Sequence, residues 1–376
     1  MEEPRFLQIH TLHSYTAALL NRDDSGLAKR LPYGGTLRTR ISSQCLKRHW
    51  RMAEHDPHSL DSIVGSELSH RSRELVTKLV IDPLKERFDA GIIAVLDPEF
   101  QKAVYGDKAD SGKQSRQTLL FGAPEMRWLA AEAEQLALGA KTPEAAKRAV
   151  TEWAKTFKKN IKAMRDATTL PGGLTAALFG RMVTSDTAAN IEAPVHVAHA
   201  FTVHATEAES DYFTAMDDLK AEDEDSSADT IQETELTSGL FYGYAVIDLP
   251  GLIQNCGADK ALAARVVHNL LYLIAEVSPG AKLGSTAPYG RAELVLLEAG
   301  SRQPRSLAGA YRKAIAPELD LAVAALGRHL GKMDEAYATG EERRILNLSD
   351  GKVEDIESAS LAELATWAAE RVGATA

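Results

Sequence analysis

The sequence predicts an α+β fold: a small sheet of the ferredoxin or RRM kind, interrupted by a long helical segment. Residues 5–13 and 195–206 alternate apolar and polar side chains, the period of a half-buried strand. From about Asp61 to Arg165 apolar residues recur instead at helical spacing. After that, strand-like sequence resumes, and strand–helix–strand followed by strand–helix–strand is the element order of a ferredoxin-like sheet.

Taken in order, RFLQIHTLH (5–13) opens the sheet. Gly26, Pro32, Gly34 and Gly35 make a loop, followed by a strand over Thr36–Ile41 and a helix over Ser43–Arg51. Leu75 and Leu79 lie in one helical pattern and 125–138 in another. The polar stretch 105–118, which lacks bulky aliphatics, reads as a mobile surface loop. The span 61–183 is therefore expected as a helical insertion. Residues 238–249 and 293–297 supply two more strands, Gly243 marks a bulge or a close approach, and 258–276 is an Ala-rich amphipathic helix. Beyond Ala308 the pattern reads as helices.

Composition narrows the function. No apolar run approaches the ~18 residues of a membrane span, and the acidic amino terminus has no signal-peptide design. Cys45 and Cys256, without a CxxC, form neither a disulfide framework nor a zinc ribbon, so a cytoplasmic protein without cofactor is expected. His196, His199 and His204 are spaced wrongly for one metal on a strand, since His196 and His199 point to opposite faces. No HExxH, GxSxG or Walker loop is present, so the expectation is a protein without catalytic residues.

Charge is the strongest functional signal. Residues 21–51 hold Arg22, Lys29, Arg30, Arg38, Arg40, Lys47, Arg48 and Arg51 against only Asp23 and Asp24. That is +6 in a chain of net charge −10, which leaves −16 for the rest. Such concentration points to a polyanion site, the alternative being a solvated basic face. Ser42, Ser43, Gln44 and the first N–H groups of the following helix are expected to face the same anion. In contrast, 207–235 carries twelve carboxylates and one lysine. A third feature is the lysine stripe Lys155, Lys158, Lys159 and Lys162, at i, i+3, i+4 and i+7 on one helix face, extended by Lys147, Arg148 and Arg165.

The run NRDD (21–24), YGG (33–35) and RISSQCLKR (40–48) resembles the amino-terminal signature of the CasC family, the backbone subunit of the type I-E CRISPR surveillance complex, Cascade. The resemblance is specific over 5–51, 180–219 and 234–250 and diffuse elsewhere. It implies a modified RRM/ferredoxin-like palm with a helical fingers insertion and a β-hairpin thumb. The palm would occupy 1–60, 184–206 and 238–376, the fingers 61–183 and the acidic thumb hairpin 207–237. It further implies a non-catalytic subunit that binds guide RNA (crRNA), stacks head-to-tail with copies of itself, and works with other Cascade subunits, target DNA and a separate helicase–nuclease.

The expected guide contacts are Arg22, Lys29, Ser42, Gln44, Lys47, Arg48 and Arg51, with Arg38 and Arg40 alternating along one strand. In the family the stretch matching GRMVTSD (180–186) sets a methionine against the guide. Met182 would then wedge beside a displaced base, although without the resemblance it reads as core. Tyr212, Phe213 and Thr214 open the matching thumb. A lysine-rich fingers helix meets duplex DNA in the family, which assigns Lys155, Lys158, Lys159 and Lys162 that role. Two alternatives remain open at this stage: an RRM-fold endoribonuclease acting on CRISPR repeat RNA, and a stand-alone single-stranded RNA-binding protein.

Overall fold

The computed structural model describes residues 4–106, 109, 118–183, 186–207, 209–214 and 231–373. The strands are β1 (Phe6–Ala18), β2 (Arg30–Tyr33), β3 (Thr36–Ile41), β4 (Ser69–Ser72), β5 (Leu119–Gly122), β6 (Val195–Val197), β7 (Ala200–Thr202), β8 (Glu209–Thr214), β9 (Ile231–Asp248), β10 (Ala292–Gly300), β11 (Glu342–Asn347) and β12 (Glu357–Ser358). The helices are α1 (Ser43–Arg51), α2 (Ala90–Tyr105), α3 (Ala123–Gly139), α4 (Pro143–Asp166), α5 (Gly173–Phe179), α6 (Leu249–Asn255), α7 (Lys260–Glu276), α8 (Leu283–Thr286), α9 (Leu319–Tyr337) and α10 (Leu361–Glu370). The chain divides into two compact units, Met1–Ser59 with His196–Ile247 and Val267–Ala376, and Leu60–Val195 with Asp248–Val266.

The first unit is built on a mixed sheet, so the α+β class holds. Its strand order is β12-β11-β10-β1-β9-β7-β3-β2, with β6 and β8 also paired to β9. The long pair β1–β10 is antiparallel from Phe6↔Gly300 to Leu12↔Leu294, and the register slips at Leu12/His13. Because side chains alternate across a strand, neighbouring residues feed two different cores. Leu12, Phe201, Tyr242, Leu294 and Leu296 pack with Leu307, Tyr311 and the α9 residues Ala322, Val323 and Leu326. Tyr15, Ile41, Ala200 and Phe241 pack on the opposite face, against Cys45 and Leu46 of α1.

On the α9 side a buried carboxylate ties the sheet together. Glu298 on β10 is 0% exposed. It accepts hydrogen bonds from His10 Nε2 on β1 (3.0 Å), from both Arg305 nitrogens (2.6 and 2.9 Å) and from Arg343 Nε on β11 (2.7 Å). Arg343 in turn clamps Asp334 of α9 with two bonds of 2.6 Å. With Nε2 donating to Glu298, His10 Nδ1 accepts from the Tyr242 hydroxyl at 2.8 Å, which itself accepts from Leu307 N at 3.0 Å. Burial alone pushes the Glu298 carboxyl up, but the bonds from His10 and Arg305 outweigh it and hold the group well below its ordinary value. Burial keeps His10 low, on the neutral side, despite that carboxylate.

The second unit holds α2–α6, of which α2, α3 and α4 pack around Leu96, Phe100, Leu129, Val150, Trp153, Phe157 and Ile161, with Phe100 stacked on Trp153 at 4.1 Å between ring centroids. The stretch 61–183 is not purely helical, as β4 and β5 pair in a two-stranded sheet, Ser69↔Gly122 to Ser72↔Leu119. A second buried carboxylate organises this unit. Glu125 (0% exposed) accepts from Gly122 N at 3.1 Å, Arg165 Nε at 2.6 Å and an Arg181 guanidinium nitrogen at 2.6 Å.

Other expectations change in detail. The span 195–206 is two short strands, β6 and β7, broken at Ala198–His199. The carboxy-terminal third, expected as helices, also contributes β11 and β12 to the sheet. The expected mobile loop at 105–118 falls mostly outside the described residues.

Glu298→Gln should cost about 3 kcal/mol of unfolding free energy, the low end for a broken buried pair, because the half-buried Arg305 and Arg343 lose their shared charge partner while Arg343 keeps Asp334. The carboxyl lies below its ordinary 4.5, so its contribution is complete above that pH and fades as pH falls toward the lower native value. Urea melts of both proteins should therefore differ most near neutrality and converge in acid. A gap that widens in acid would contradict this reading.

Candidate nucleic-acid interface

The basic segment is shaped by its own backbone bonds. Asn21 O accepts from Lys29 N at 2.9 Å and Arg22 bridges Ala28, so the 21–29 loop folds back on itself and brings the backbone of Arg22 near that of Lys29. Asp23 does not neutralise them: its Oδ1 accepts from Ser25 N and Leu27 N at 2.9 and 3.0 Å. The β2–β3 hairpin turns at Gly34 (φ 62°), where a Cβ would fall 1.5 Å from the Arg312 carbonyl oxygen, so only glycine fits.

Helix α1 buries Trp50, exposes Gln44 and Arg48, and leaves Lys47 and Arg51 half-buried. Lys29 and Arg40 are half-buried beside it, and Arg22 is exposed. Among the described residues Arg22, Lys29, Arg40 and Arg48 form no ion pair with a carboxylate. Those four cations are the part of the segment left for an outside anion.

Three expectations need correction. Arg38 is 0% exposed and does not join Arg40 on the surface. Its guanidinium donates to the carbonyls of Thr202 (2.9 Å) and Tyr311 (3.0 Å), and its Nε donates to Thr36 Oγ1 (2.8 Å), so it is an internal strut. Ser42 is buried as the cap of α1: its Oγ accepts from Cys45 N at 3.3 Å and its own N–H goes to Asn21 Oδ1 at 2.9 Å. Ser43 N donates to His199 Nδ1 at 2.9 Å, so the amino end of α1 is partly satisfied from within.

His199 is the residue that sequence reasoning did not place at this site. Its pKa is lowered by burial and then by the Arg40 and Lys29 charges, which keeps Nδ1 an acceptor for Ser43. The related His204 is buried, with Nδ1 donating to Ala205 O at 2.8 Å and Nε2 accepting from Leu240 N at 3.3 Å. The HxxH spacing drew attention to the residue only as a metal ligand, a reading the strand geometry excludes, and gave no sign of a helix cap.

The acidic hairpin is formed at its base. β8 and β9 pair from Glu209↔Leu236 to Thr214↔Ile231, which sets Tyr212 opposite Glu233 and Phe213 opposite Gln232. The side chains of Tyr212, Phe213 and Thr214, and all of 215–230, lie outside the described residues. Arg30 of the basic segment forms an ion pair with the buried Glu235 of β9, so it is used within the chain.

Met182 and the lysine stripe belong to the second unit. Arg181 is held by Glu125 and by Ala189 O (2.7 Å), and Val183 N donates to Asn190 Oδ1 at 2.7 Å. Between two inward-facing neighbours Met182 points out, 72% exposed, which removes the core reading. On α4, Lys155, Lys158, Lys159 and Lys162 are all exposed, opposite the buried Trp153, Phe157 and Ile161. Lys155 pairs with Glu152 and Lys162 with Asp166, each at 2.5 Å, so the stripe is partly neutralised at both ends. Arg165 does not extend it; the residue is buried between Glu125 and Asp186.

Cations without a carboxylate partner, gathered around α1 and the 21–29 loop of an α+β protein, meet the electrostatic requirement of a polyanion site. The chain belongs to the CT1975-like protein family, whose model matches residues 7–370. It is similar to a chain of a CRISPR RNA-guided surveillance complex described as pre-nicking. Identity is 25% and the TM-score is 0.81, covering 98% of this chain and 100% of that one. A second CRISPR RNA-guided surveillance complex chain has 22% identity and a TM-score of 0.69, covers 96% and 100%, and shows the shared fold. No curated protein sequence matches the chain. Among the described residues no helix is long and apolar enough to cross a membrane.

Because Arg38 is internal and Arg48 is not, Arg38→Met should cost about 2–4 kcal/mol by orphaning buried carbonyls. Arg48→Met should stay within about 0.5 kcal/mol of wild type. Chemical denaturation of the two variants checks this, and equal losses would contradict it.

Proposed function

We propose that the chain is a non-catalytic, CasC-like backbone subunit of a type I-E Cascade, acting in the cytoplasm. It binds guide RNA through the phosphates, assembles head-to-tail on it with other Cascade subunits, and presents it for pairing with target DNA. A separate helicase–nuclease then cuts the DNA. The observation that carries this reading is the set of unpaired cations around α1, mounted on a fold shared end to end with a surveillance-complex chain. Contacts to phosphate position a strand without reading it, as a subunit serving variable guides requires.

The strand order supports the palm. β10-β1-β9-β7, numbered by place in the chain, is 4-1-3-2, the order of two interleaved strand–helix–strand units. The exposed Met182 suits an apolar wedge at a base step. Tyr212, Phe213 and Thr214, at the opening of the hairpin, are assigned to the guide by the family resemblance alone.

Lys47→Glu with Arg48→Glu should abolish co-purifying RNA while the subunit stays folded. Each lost phosphate contact should flatten the slope of log affinity against log salt by about 0.7 on a single strand. Unchanged RNA retention would sink the guide assignment.

For the stripe, Lys158→Glu with Lys159→Glu should leave guide RNA and particle size intact yet weaken binding to duplex target, most steeply at low salt. Both affinities measured on one preparation decide the matter. Equal loss of RNA and DNA moves the stripe to the guide groove, and no loss of either leaves a solvated face.

A further inference from the structure

His199 is held by one ring nitrogen and leaves the other free. It stands at the break between β6 and β7, where Ala198 N donates to Tyr244 O at 2.9 Å. The next residue, Ala200, pairs with Ile41 at the end of β3, which brings His199 to the start of α1. There its Nδ1 accepts from Ser43 N at 2.9 Å. A neutral imidazole that accepts at Nδ1 carries its proton on Nε2, so Nε2 is a donor. Among the described residues that donor has no partner, and His199 is exposed.

Its surroundings select the acceptor. Lys29 and Arg40 are joined through Arg40 N and Lys29 O at 2.8 Å, and among the described residues neither forms an ion pair with a carboxylate. Burial and then these two charges lower the pKa of His199, so the ring stays neutral and the groups acting on it are both positive. The Ser43 N–H, which an anion could otherwise take at the start of α1, is already occupied by the ring. We propose that His199 is a further guide contact, its Nε2–H donating to a phosphate oxygen of the strand that Lys29 and Arg40 attract. The inference rests on the guide-binding reading and adds a residue to that site. Lysine and arginine supply attraction on long, flexible stems, whereas a ring fixed by Ser43 offers one donor in one direction. A hydrogen bond to a charged acceptor is among the stronger kinds, so the contact is measurable without adding charge.

Two substitutions separate the ring's nitrogens. In His199→Asn the amide oxygen takes the place of Nδ1 and can still accept from Ser43, but nothing replaces Nε2. In His199→Gln the amide nitrogen reaches toward the place of Nε2, but the Ser43 acceptor is gone. The full chain is compared as wild type, both variants and His199→Ala, by urea melts and by titration with a labelled single-stranded RNA at several salt concentrations. His199→Asn should melt like wild type yet bind RNA about tenfold more weakly. Its slope of log affinity against log salt should match wild type, because a neutral donor displaces no counterion. His199→Gln should melt earlier than wild type yet bind RNA more tightly than His199→Asn, and His199→Ala should be impaired in both. Wild-type affinity in His199→Asn would overturn the proposal. So would an Asn variant as destabilised as His199→Ala, since the loss would then be that of the cap, and a flattened slope would overturn the neutral donor. Lys47→Glu/Arg48→Glu is titrated alongside. RNA binding that survives it overturns the guide reading and this contact together, whereas its loss beside an unaffected His199→Asn overturns the contact alone.

Discussion

The Glu298 carboxylate is the contact on which the first unit depends. It lies on β10, yet its four hydrogen bonds come from β1, β11 and the segment after β10. Through His10 it reaches Tyr242 on β9, and through Arg343 it reaches Asp334 on α9. One buried group thus fixes the registers of four strands and the seat of the helix that covers them. A buried ion cluster of this kind adds little net stability over an apolar core, but it tolerates few alternative registers. In a sheet whose two faces feed different cores, a slip of one residue would exchange them. The basic segment is mounted on the far end of that sheet, at β3 and β2, so its geometry inherits the register set at β10.

Arginine has two distinct uses here, and residue type alone does not separate them. Arg165, Arg181, Arg305 and Arg343 are buried or half-buried against Glu125 or Glu298. Arg38 is buried on neutral acceptors, the carbonyls of Thr202 and Tyr311 and the Thr36 hydroxyl, with no carboxylate. Arg22 and Arg48 face solvent. The planar, five-donor guanidinium suits both tasks, binding several buried acceptors as readily as a phosphate. The basic segment's +6 in sequence therefore overstates the charge an outside strand would meet, since Arg30 and Arg38 are consumed within the chain.

This division marks the limit of what the sequence made legible. The strand Thr36–Ile41 and the helix Ser43–Arg51 could be read to the residue, because glycine, proline and a serine cap punctuate them locally. The burial of Arg38 could not, since its acceptors lie more than 160 residues away at Thr202 and Tyr311. The strands β11 and β12 escaped for a related reason. ERRILN hides its alternation behind charges whose partners, Glu298, Asp334 and Glu357, are brought to it only by folding. Met182 was misjudged by composition for the opposite reason: its neighbours Arg181 and Val183 are the anchored ones, and the apolar residue between them is left outside.

Head-to-tail stacking has a consequence for assembly. On the proposed reading the α1 face holds the guide, and each copy presents one surface to the copy before it and a different surface to the copy after it. Such an association is heterologous, so it propagates along a line and need not close into a ring. Its length is then limited by the strand it is built on and not by the protein.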